Sequence, residues 1–352
     1  MNDNFQHPCE GFAVEVAEGL IFVVKGLIHP HGRLIAYLRY LPDQAGDRNR
    51  DGVAYRRVYR FEEQQRILKR DFPHYLGEDP CLGIPVQWVE TRRIRRVYDP
   101  RKRLEEICRC GPRDGIERKV AAFAELLRNS AEIVLSSLGI SGSVLLNLHL
   151  QKSDLDFTVY GEQQALAVHG ALDRLLDKGA EDSVRRLNRK EMSVLHDAHR
   201  PDTPLSFEDF ASLQDRKVNE GFFQGSPYFI RFVKHPSQFA QRYNDPRYEP
   251  LGNVTIRAKI VDDRDAIFTP CTYQIDDVEF IRGKPVADLR EIASFRGRFT
   301  DQVRTGEMAS ARGHLESVIP YVGPAYHRLT VGGTVGDYLM RENMGVFQGR
   351  ET

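Results

Sequence analysis

Two acidic residues stand one position apart in an otherwise apolar run, at Asp154 and Asp156 of DLDFTVY. If this run is a β-strand, side chains two residues apart share a face, so both carboxylates point the same way. Like charges beside an apolar strand are unfavourable unless a cation compensates them. A hard divalent cation takes oxygen ligands and bridges carboxylates to phosphates, so the pair predicts a Mg²⁺ site, with Mn²⁺ as the alternative ion. The competing interpretation is an acidic surface turn.

A glycine–serine pair, Gly142 and Ser143, precedes the acidic pair and is followed by VLLNLHL, which predicts a short helix of about two turns. Glycine permits a tight turn and close approach to a ligand, and a helix N-terminus offers free N–H groups to an anion. Ser143 is a candidate either to cap that helix or to bind a phosphate. Together the two features suit in-line attack on a nucleoside triphosphate, with metal neutralising the reacting oxygens.

The spacing G-S, ten residues, D-x-D, with an apolar residue after each Asp, resembles the signature of the DNA polymerase beta-like nucleotidyltransferase superfamily. The segments GISGSVLLNLHLQKSDLDFTVYG, IFTPCTY and SFRGRFTDQVRTGE look like a family of predicted nucleotidyltransferases found widely in archaea, over most of the chain. The resemblance implies a mixed-sheet nucleotidyltransferase core, Mg²⁺ dependence, and transfer of a nucleoside monophosphate with release of pyrophosphate. ATP is the expected donor. By position, Gly142 and Ser143 match the phosphate-binding pair, and Asp154 and Asp156 match the metal-binding pair.

The resemblance also implies a third carboxylate on a neighbouring strand, as a metal ligand and base for the acceptor hydroxyl. The strand-like YFIRFVK has no acid, while VTIRAKIVDD ends in Asp262 and Asp263. We take Asp262 as the candidate, because adjacent strand residues face opposite ways and only one would fit. If neither fits, the alternative is a catalytically degenerate module that binds nucleotide or RNA. Arg231 and Lys234 in YFIRFVK are candidates to neutralise triphosphate, although basic strand residues commonly face solvent.

The order of elements predicts an α+β fold of three domains. Residues 1–112 are predicted to be β-rich, with strands in FAVEVAEGLIFVVKGLIH and RLIAYLRYLP, a helix in FEEQQRILKRDF, and an irregular stretch between Pro73 and Pro100. Residues 113–274 would form the nucleotidyltransferase-like mixed sheet, flanked by amphipathic helices in GIERKVAAFAELLRNS, capped by Asp114, and in EQQALAVHGALDRLLDKG, ending at Gly179. Residues 275–352 predict a small β-rich barrel or sheet.

The composition, 41% hydrophobic and 28% charged, is typical of a globular protein. No apolar run approaches the roughly 18 residues of a membrane span, and the first residues do not resemble a secretory signal. Five scattered cysteines favour reduced thiols over a disulfide framework. These features predict a cytoplasmic protein without a membrane partner.

Charge is unevenly distributed although the net charge is zero. Residues 48–119 hold 19 Lys or Arg against 12 Asp or Glu, and the densest part is RRIRRVYDPRKR, residues 92–103. Such a segment can mark a polyanion-binding face or a solvated surface balanced by acidic neighbours. The acceptor substrate is therefore left open between RNA, a protein and a small molecule.

Overall fold

The computed structural model describes residues 8–79, 81, 83–177, 183–238 and 242–342. These residues form an α+β protein with seven α-helices and three β-sheets, which confirms the predicted fold class. The chain divides into two compact units, the first within residues 1–187 and 218–247, the second within 188–217 and 248–352. The three predicted domains, with boundaries at residues 112 and 274, stay a prediction.

The first sheet, in the first unit, is antiparallel throughout and follows the order β4-β5-β3-β2-β1-β8, with β7 pairing β3 and β6 pairing β7. Its strands are β1 (Ala13–Val16), β2 (Ile21–Val24), β3 (Arg33–Pro42), β4 (Arg48–Arg50), β5 (Val53–Arg57), β6 (Leu76–Asp79), β7 (Ile84–Glu90) and β8 (Ile94–Tyr98). The strands predicted before residue 43 are confirmed.

The prediction of an irregular stretch between Pro73 and Pro100 was wrong, because β6, β7 and β8 all lie there. Pro73 and Pro100 each stand at the first position of a helical turn, where a missing backbone N–H costs nothing. The prolines therefore mark element starts in this region rather than an absence of regular structure.

The second sheet, also in the first unit, has the order β11-β12-β13-β10-β9 and is mixed, since β10 and β13 are parallel while the other pairs are antiparallel. Its strands are β9 (Leu138–Ile140), β10 (Leu155–Tyr160), β11 (Val184–Arg185), β12 (Glu220–Phe223) and β13 (Ser226–Val233). The helices of this unit are α1 (Phe61–Asp71), α2 (Pro100–Cys110), α3 (Gly115–Ala131), α4 (Gly142–Leu145) and α5 (Glu162–Asp177).

Aromatic packing holds α3 on one face of the mixed sheet. The Phe123 ring of α3 lies 5.3 Å from Phe157 of β10, 4.5 Å from Phe223 of β12 and 5.0 Å from Tyr228 of β13. The predicted Asp114 cap is confirmed, because its carboxylate accepts from the backbone N–H groups of Ile116 and Glu117. The predicted end of α5 at Gly179 lies outside the described residues.

The second unit contains a small barrel. Its strands follow the order β14-β15-β16-β18-β17, and β17 pairs back to β14, with β19 added at β17. Its elements are α6 (Arg189–His199), α7 (Phe207–Gln214), β14 (Arg247–Asp262), β15 (Cys271–Arg282), β16 (Leu289–Ser294), β17 (Met308–Ile319), β18 (Tyr326–Thr330) and β19 (Tyr338–Arg341). A barrel or sheet was predicted for residues 275–352; the observed barrel also includes β14 and the start of β15, which precede residue 275. Among all the described helices, none is long and apolar enough to cross a membrane.

Candidate functional site

The two acidic residues of the motif, called here the carboxylate pair (Asp154 and Asp156), lie at the start of β10. Asp156 is the second residue of the strand and Asp154 directly precedes it. Leu155 and Phe157 between and after them are fully buried, on the face that α3 covers. Both carboxylates are partly buried. The strand prediction for this segment is therefore confirmed, and β10 exposes its acids on the face opposite the helix.

Gly142 packs directly against Asp156 of the carboxylate pair. Its φ of +61° is a left-handed conformation that disfavours other residues, and a Cβ built on it would lie 2.0 Å from Asp156 Oδ2. The neighbouring Ser141 donates from its backbone N and its Oγ to the backbone carbonyl of Asp156, at 2.7 and 3.0 Å. These hydrogen bonds tie the loop at residues 141–142, called here the glycine loop, to β10. At position 142 only glycine fits without displacing Asp156.

Ser143 is buried and its Oγ donates to Ser153 Oγ over 3.3 Å. Its backbone carbonyl accepts from Leu148 N at 2.9 Å. The helix α4 begins at Gly142 and has one turn, not the predicted two, and Asn147 with φ +54° ends the helical path shortly after it. Ser143 therefore stabilises the loop through these two hydrogen bonds. That it binds a phosphate stays a prediction.

The helix α2, which sequence reasoning missed, anchors the end of this loop. Its buried Arg103 donates from Nε to the carbonyl of Val144 at 3.3 Å and from Nη2 to Asn147 Oδ1 at 2.8 Å. The signal was present in the sequence, since Asp99 before Pro100 is an N-cap followed by proline at the first helical position.

The parallel pairing of β10 with β13 places Phe229 opposite Asp156 and Arg231 opposite Thr158. Paired residues of neighbouring strands share a face, so Arg231 belongs to the side of the sheet that carries the acids. The Arg231 Nε lies 3.2 Å from Oε1 of the buried Glu10, which also pairs with Lys25. Lys234, the other predicted cation, lies one residue beyond the end of β13.

Two further arginines, from the first sheet, act on the site through their charge, and no local pattern in the sequence predicts them. β3 carries a bulge: Phe22 pairs with Leu38 and Ile21 with Tyr40, which leaves Arg39 unopposed. The extra residue inverts the alternation of the strand, so that Tyr40 packs in one cluster with the leucines of the α4 loop. Arg57 of β5 pairs with Tyr40 and lies on the same face.

These three cations, called here the site arginines (Arg39, Arg57 and Arg231), act on the carboxylate pair. Burial and the neighbouring Asp154 charge raise the pKa of Asp156 to about 6, while Arg231, Arg57 and Arg39 each oppose that rise. Because burial and like charge prevail, the pKa of the Asp156 carboxyl stays above its ordinary value, and an added cation beside it would favour the charged form.

Asp262, the predicted third carboxylate, is the last residue of β14, in the second unit. It accepts from Arg264 Nε at 2.8 Å, and hydrogen bonds from the Arg264 side chain and backbone lower the pKa of this carboxyl. Its part in the site stays a prediction from the sequence. Asp263 accepts from Thr305 Oγ1 at 2.8 Å.

A second group of potential metal ligands lies in the first unit, where one ligand atom each of Asp114, Glu117 and His149 fall within 4.8 Å of one another. Asp114 already caps α3 and accepts from His149 Nε2 at 2.8 Å. Glu117 pairs with both Arg103 and Arg113. The carboxylates of this group are thus already engaged by the α3 cap, His149 and two arginines.

Comparison with known proteins yields one relative. The chain is 27% identical over 330 residues to an uncharacterized protein of Methanocaldococcus jannaschii, a match that covers 91% of this chain and 94% of that protein. No family model matches the chain, and no solved structure matches it. The resemblance to nucleotidyltransferases therefore depends on the motif and stays a prediction.

Proposed function

We propose that the protein is a Mg²⁺-dependent nucleotidyltransferase that moves a nucleoside monophosphate from a nucleoside triphosphate, with ATP the expected donor, to an acceptor, releasing pyrophosphate. The observation that carries the proposal is the carboxylate pair, with Asp156 packed against Gly142 and Arg231 on the same face of the sheet. Two oxygen-donor acids, and arginines whose charge opposes the raised pKa of Asp156, match the needs of a metal–triphosphate complex, which presents both a cation and a polyanion. We place the reaction in the cytoplasm.

The roles of individual residues follow from their chemistry. Asp154 and Asp156 would hold Mg²⁺, which when bound neutralises charge on the reacting phosphate oxygens. The site arginines bind and orient the triphosphate, since guanidinium groups form strong charge-assisted hydrogen bonds to phosphate. Gly142 leaves the space beside Asp156 Oδ2 free of a side chain. Glu10 positions Arg231 through the contact described above.

A second candidate function, a catalytically degenerate module that binds nucleotide or RNA, has one observation in its favour. The strand beside β10 carries Phe229 opposite Asp156 and Arg231 opposite Thr158, and neither is the carboxylate that the superfamily pattern expects on a neighbouring strand. Such a protein would keep metal-dependent nucleotide binding and lack transfer. Binding and transfer must therefore be measured separately.

The direct test incubates the purified protein with α-³²P-labelled nucleotides, Mg²⁺ and candidate acceptors, and follows pyrophosphate release and label transfer. An active enzyme is expected to release pyrophosphate with Mg²⁺ or Mn²⁺ and not in EDTA, and the Asp156→Asn variant should release none. Metal-dependent nucleotide binding without any pyrophosphate release would favour the degenerate module. Absence of nucleotide binding under all these conditions would reject both functions.

The basic segment, residues 92–103, is where an RNA acceptor would be expected to bind. Arg92, Arg93, Arg95 and Arg96 lie on or just before the edge strand β8. The first two pair with Glu90 at 3.0 and 3.2 Å, whereas Arg95 and Arg96 are exposed. Two of these four arginines thus share one acidic partner within the protein.

If the acceptor is RNA bound along this segment, affinity should fall steeply with salt, with a log–log slope of about −0.7 per phosphate contact. Changing all four arginines to Ala is then expected to flatten the slope by up to about four contacts and to leave ATP affinity unchanged. The measurement is RNA affinity over a salt series for both proteins. Equal slopes, or no RNA binding at low salt, would turn the search to protein or small-molecule acceptors.

A further inference from the structure

Three aromatic residues, called here the aromatic strip (Tyr37, Tyr59 and Phe61), lie on the side of the first sheet where β3 and β5 meet α1. Tyr37 belongs to β3, and its ring centroid is 5.9 Å from that of Phe61, the first residue of α1. Tyr59 lies between β5 and α1. Tyr59 is 62% exposed and Phe61 39%. Single exposed apolar side chains are ordinary, whereas neighbouring ones mark an interaction surface.

Two of the site arginines hold the Tyr59 ring in position. The guanidinium carbons of Arg57 and Arg39 lie 4.1 and 4.7 Å from the ring centroid, and Arg57 Nη2 also donates to Tyr59 Oη. Cation–π contacts of this kind stabilise one orientation of a ring. Because Tyr59 stays mostly exposed despite both contacts, it is a positioned ring that is still accessible to a stacking partner.

The aromatic strip borders the candidate site. Arg57 pairs across the sheet with Tyr40, which packs in one cluster with the leucines of the α4 loop. The charges of Arg57 and Arg39, the two groups that contact the Tyr59 ring, also act on Asp156. A ligand stacked on Tyr59 would therefore lie next to the groups that surround the carboxylate pair.

The surroundings of the aromatic strip are basic. In addition to the two arginines on the Tyr59 ring, Arg60 between the two exposed rings is itself exposed. Of the acids in the first turn of α1, Glu63 already pairs with Arg56 at 2.6 Å, and Glu62 is exposed. Aromatic side chains interleaved with basic ones are typical of surfaces that bind single-stranded nucleic acid, where bases stack on the rings and cations follow the backbone.

We propose that the aromatic strip binds an unpaired nucleic-acid strand by base stacking and directs the end of that strand to the carboxylate pair as the acceptor. The inference rests on the proposed function, because it names the class of the acceptor. Two exposed rings favour successive bases of a strand over the single base of a nucleoside triphosphate. In the transfer, the terminal hydroxyl oxygen of the strand bonds to the α-phosphorus, the bond to pyrophosphate breaks, and the hydroxyl proton passes to water.

The experiment measures the affinity of labelled oligouridine and oligothymidine, each of about 12 nucleotides, by fluorescence anisotropy over a salt series without metal or nucleotide. Tyr59→Ala is expected to lower the affinity by about 10-fold or more, because it removes a stacking ring. The salt slope should stay that of the parent, since no charge is lost. Tyr59→Phe keeps the ring and should retain the affinity within about 2-fold. The ratio of the two oligonucleotide affinities shows whether the strand is RNA or DNA.

Two controls separate the aromatic strip from other surfaces. Tyr321→Ala removes a tyrosine that is 89% exposed in the loop between β17 and β18, and it should leave the affinity unchanged. The variant with four alanines in the basic segment should also keep it, because β1 and β2 separate β8 from β3 in the sheet. The free energy of unfolding of Tyr59→Ala should equal that of the parent, since the side chain is mostly exposed.

A loss of affinity in Tyr59→Ala that Tyr59→Phe restores, with none in Tyr321→Ala, supports the proposal. Equal affinity of Tyr59→Ala and the parent, or no oligonucleotide binding by the parent at low salt, overturns it. Either result leaves the proposed function intact if pyrophosphate is still released with another acceptor. Conversely, a parent that binds the strand through Tyr59 but neither binds a nucleoside triphosphate nor releases pyrophosphate overturns the proposed function and, with it, the acceptor role of the strand.

Discussion

Asp156→Asn is expected to abolish metal-dependent nucleotide binding and yet leave the ligand-free protein at pH 7 as stable as the parent, or more stable by up to about 3 kcal/mol. The reason is that burial and the Asp154 charge raise the pKa of Asp156 to about 6, above the ordinary value of 3.8. Ionising this group therefore costs more in the folded protein than in the unfolded chain. Asparagine has the shape of the carboxylate without its charge, and so removes that cost.

The pH dependence gives the sign of the effect. A carboxyl whose pKa is raised in the folded state contributes to the free energy of unfolding. That contribution is complete at pH values below the unfolded pKa, and it is lost as the pH rises through the folded pKa. The parent should lose stability from Asp156 between about pH 4 and pH 6.5, and the variant should not. Denaturant unfolding of both proteins across this range, without metal, measures the difference between their free energies of unfolding.

Two controls bracket the result. Asp154→Asn should give part of the same gain, because it removes the charge that raises the pKa of Asp156. Asp114→Ala should instead lose about 1 kcal/mol at pH 7, since that carboxylate caps α3 through two backbone N–H groups. If Asp156→Asn strongly lowered the free energy of unfolding without metal, the Asp156 carboxylate would be a structural partner rather than a candidate metal ligand.

Gly142→Ala is expected to disable the site although it adds a single methyl group. The new Cβ would lie 2.0 Å from Asp156 Oδ2 and 2.8 Å from its Cγ, so the carboxylate must move. A displacement of this order can reduce a transfer rate by about 100-fold. The left-handed backbone adds a cost to stability of about 1 kcal/mol. The measurements are Mn²⁺–nucleotide affinity, pyrophosphate release and the free energy of unfolding.

The Gly225→Ala variant separates the effect of the left-handed backbone from the effect of the contact with Asp156. Gly225 also has a positive φ, +74°, but a Cβ there would meet nothing within 4 Å. It should lose a similar amount of stability and keep its nucleotide affinity. If both variants retain full binding, the contact between the glycine loop and the carboxylate pair has no functional role, and the assignment of this loop to the site fails.

Local chemistry in the sequence was sufficient to predict much of the first unit. The alternation around Asp154 and Asp156 predicted β10, and the acid before an amphipathic run predicted the capped α3. The glycine–serine pair predicted a tight turn beside a ligand, whereas the packing of Gly142 against Asp156 came from the structure. Each of these signals depends on residues close together in the chain, where periodicity and capping determine conformation.

Only the tertiary structure decided which cations meet the acids. Arg39 and Arg57 lie about a hundred residues before the carboxylate pair, and they reach it through a bulge in β3 and the register between β3 and β5. A bulge and a strand register are set by packing across the sheet, which no local pattern encodes. For the same reason the sequence predicted Arg231 on its own strand but not its contact with Glu10. The candidate metal ligands were thus recognisable from adjacent residues of the chain, whereas their electrostatic environment depends on the tertiary fold.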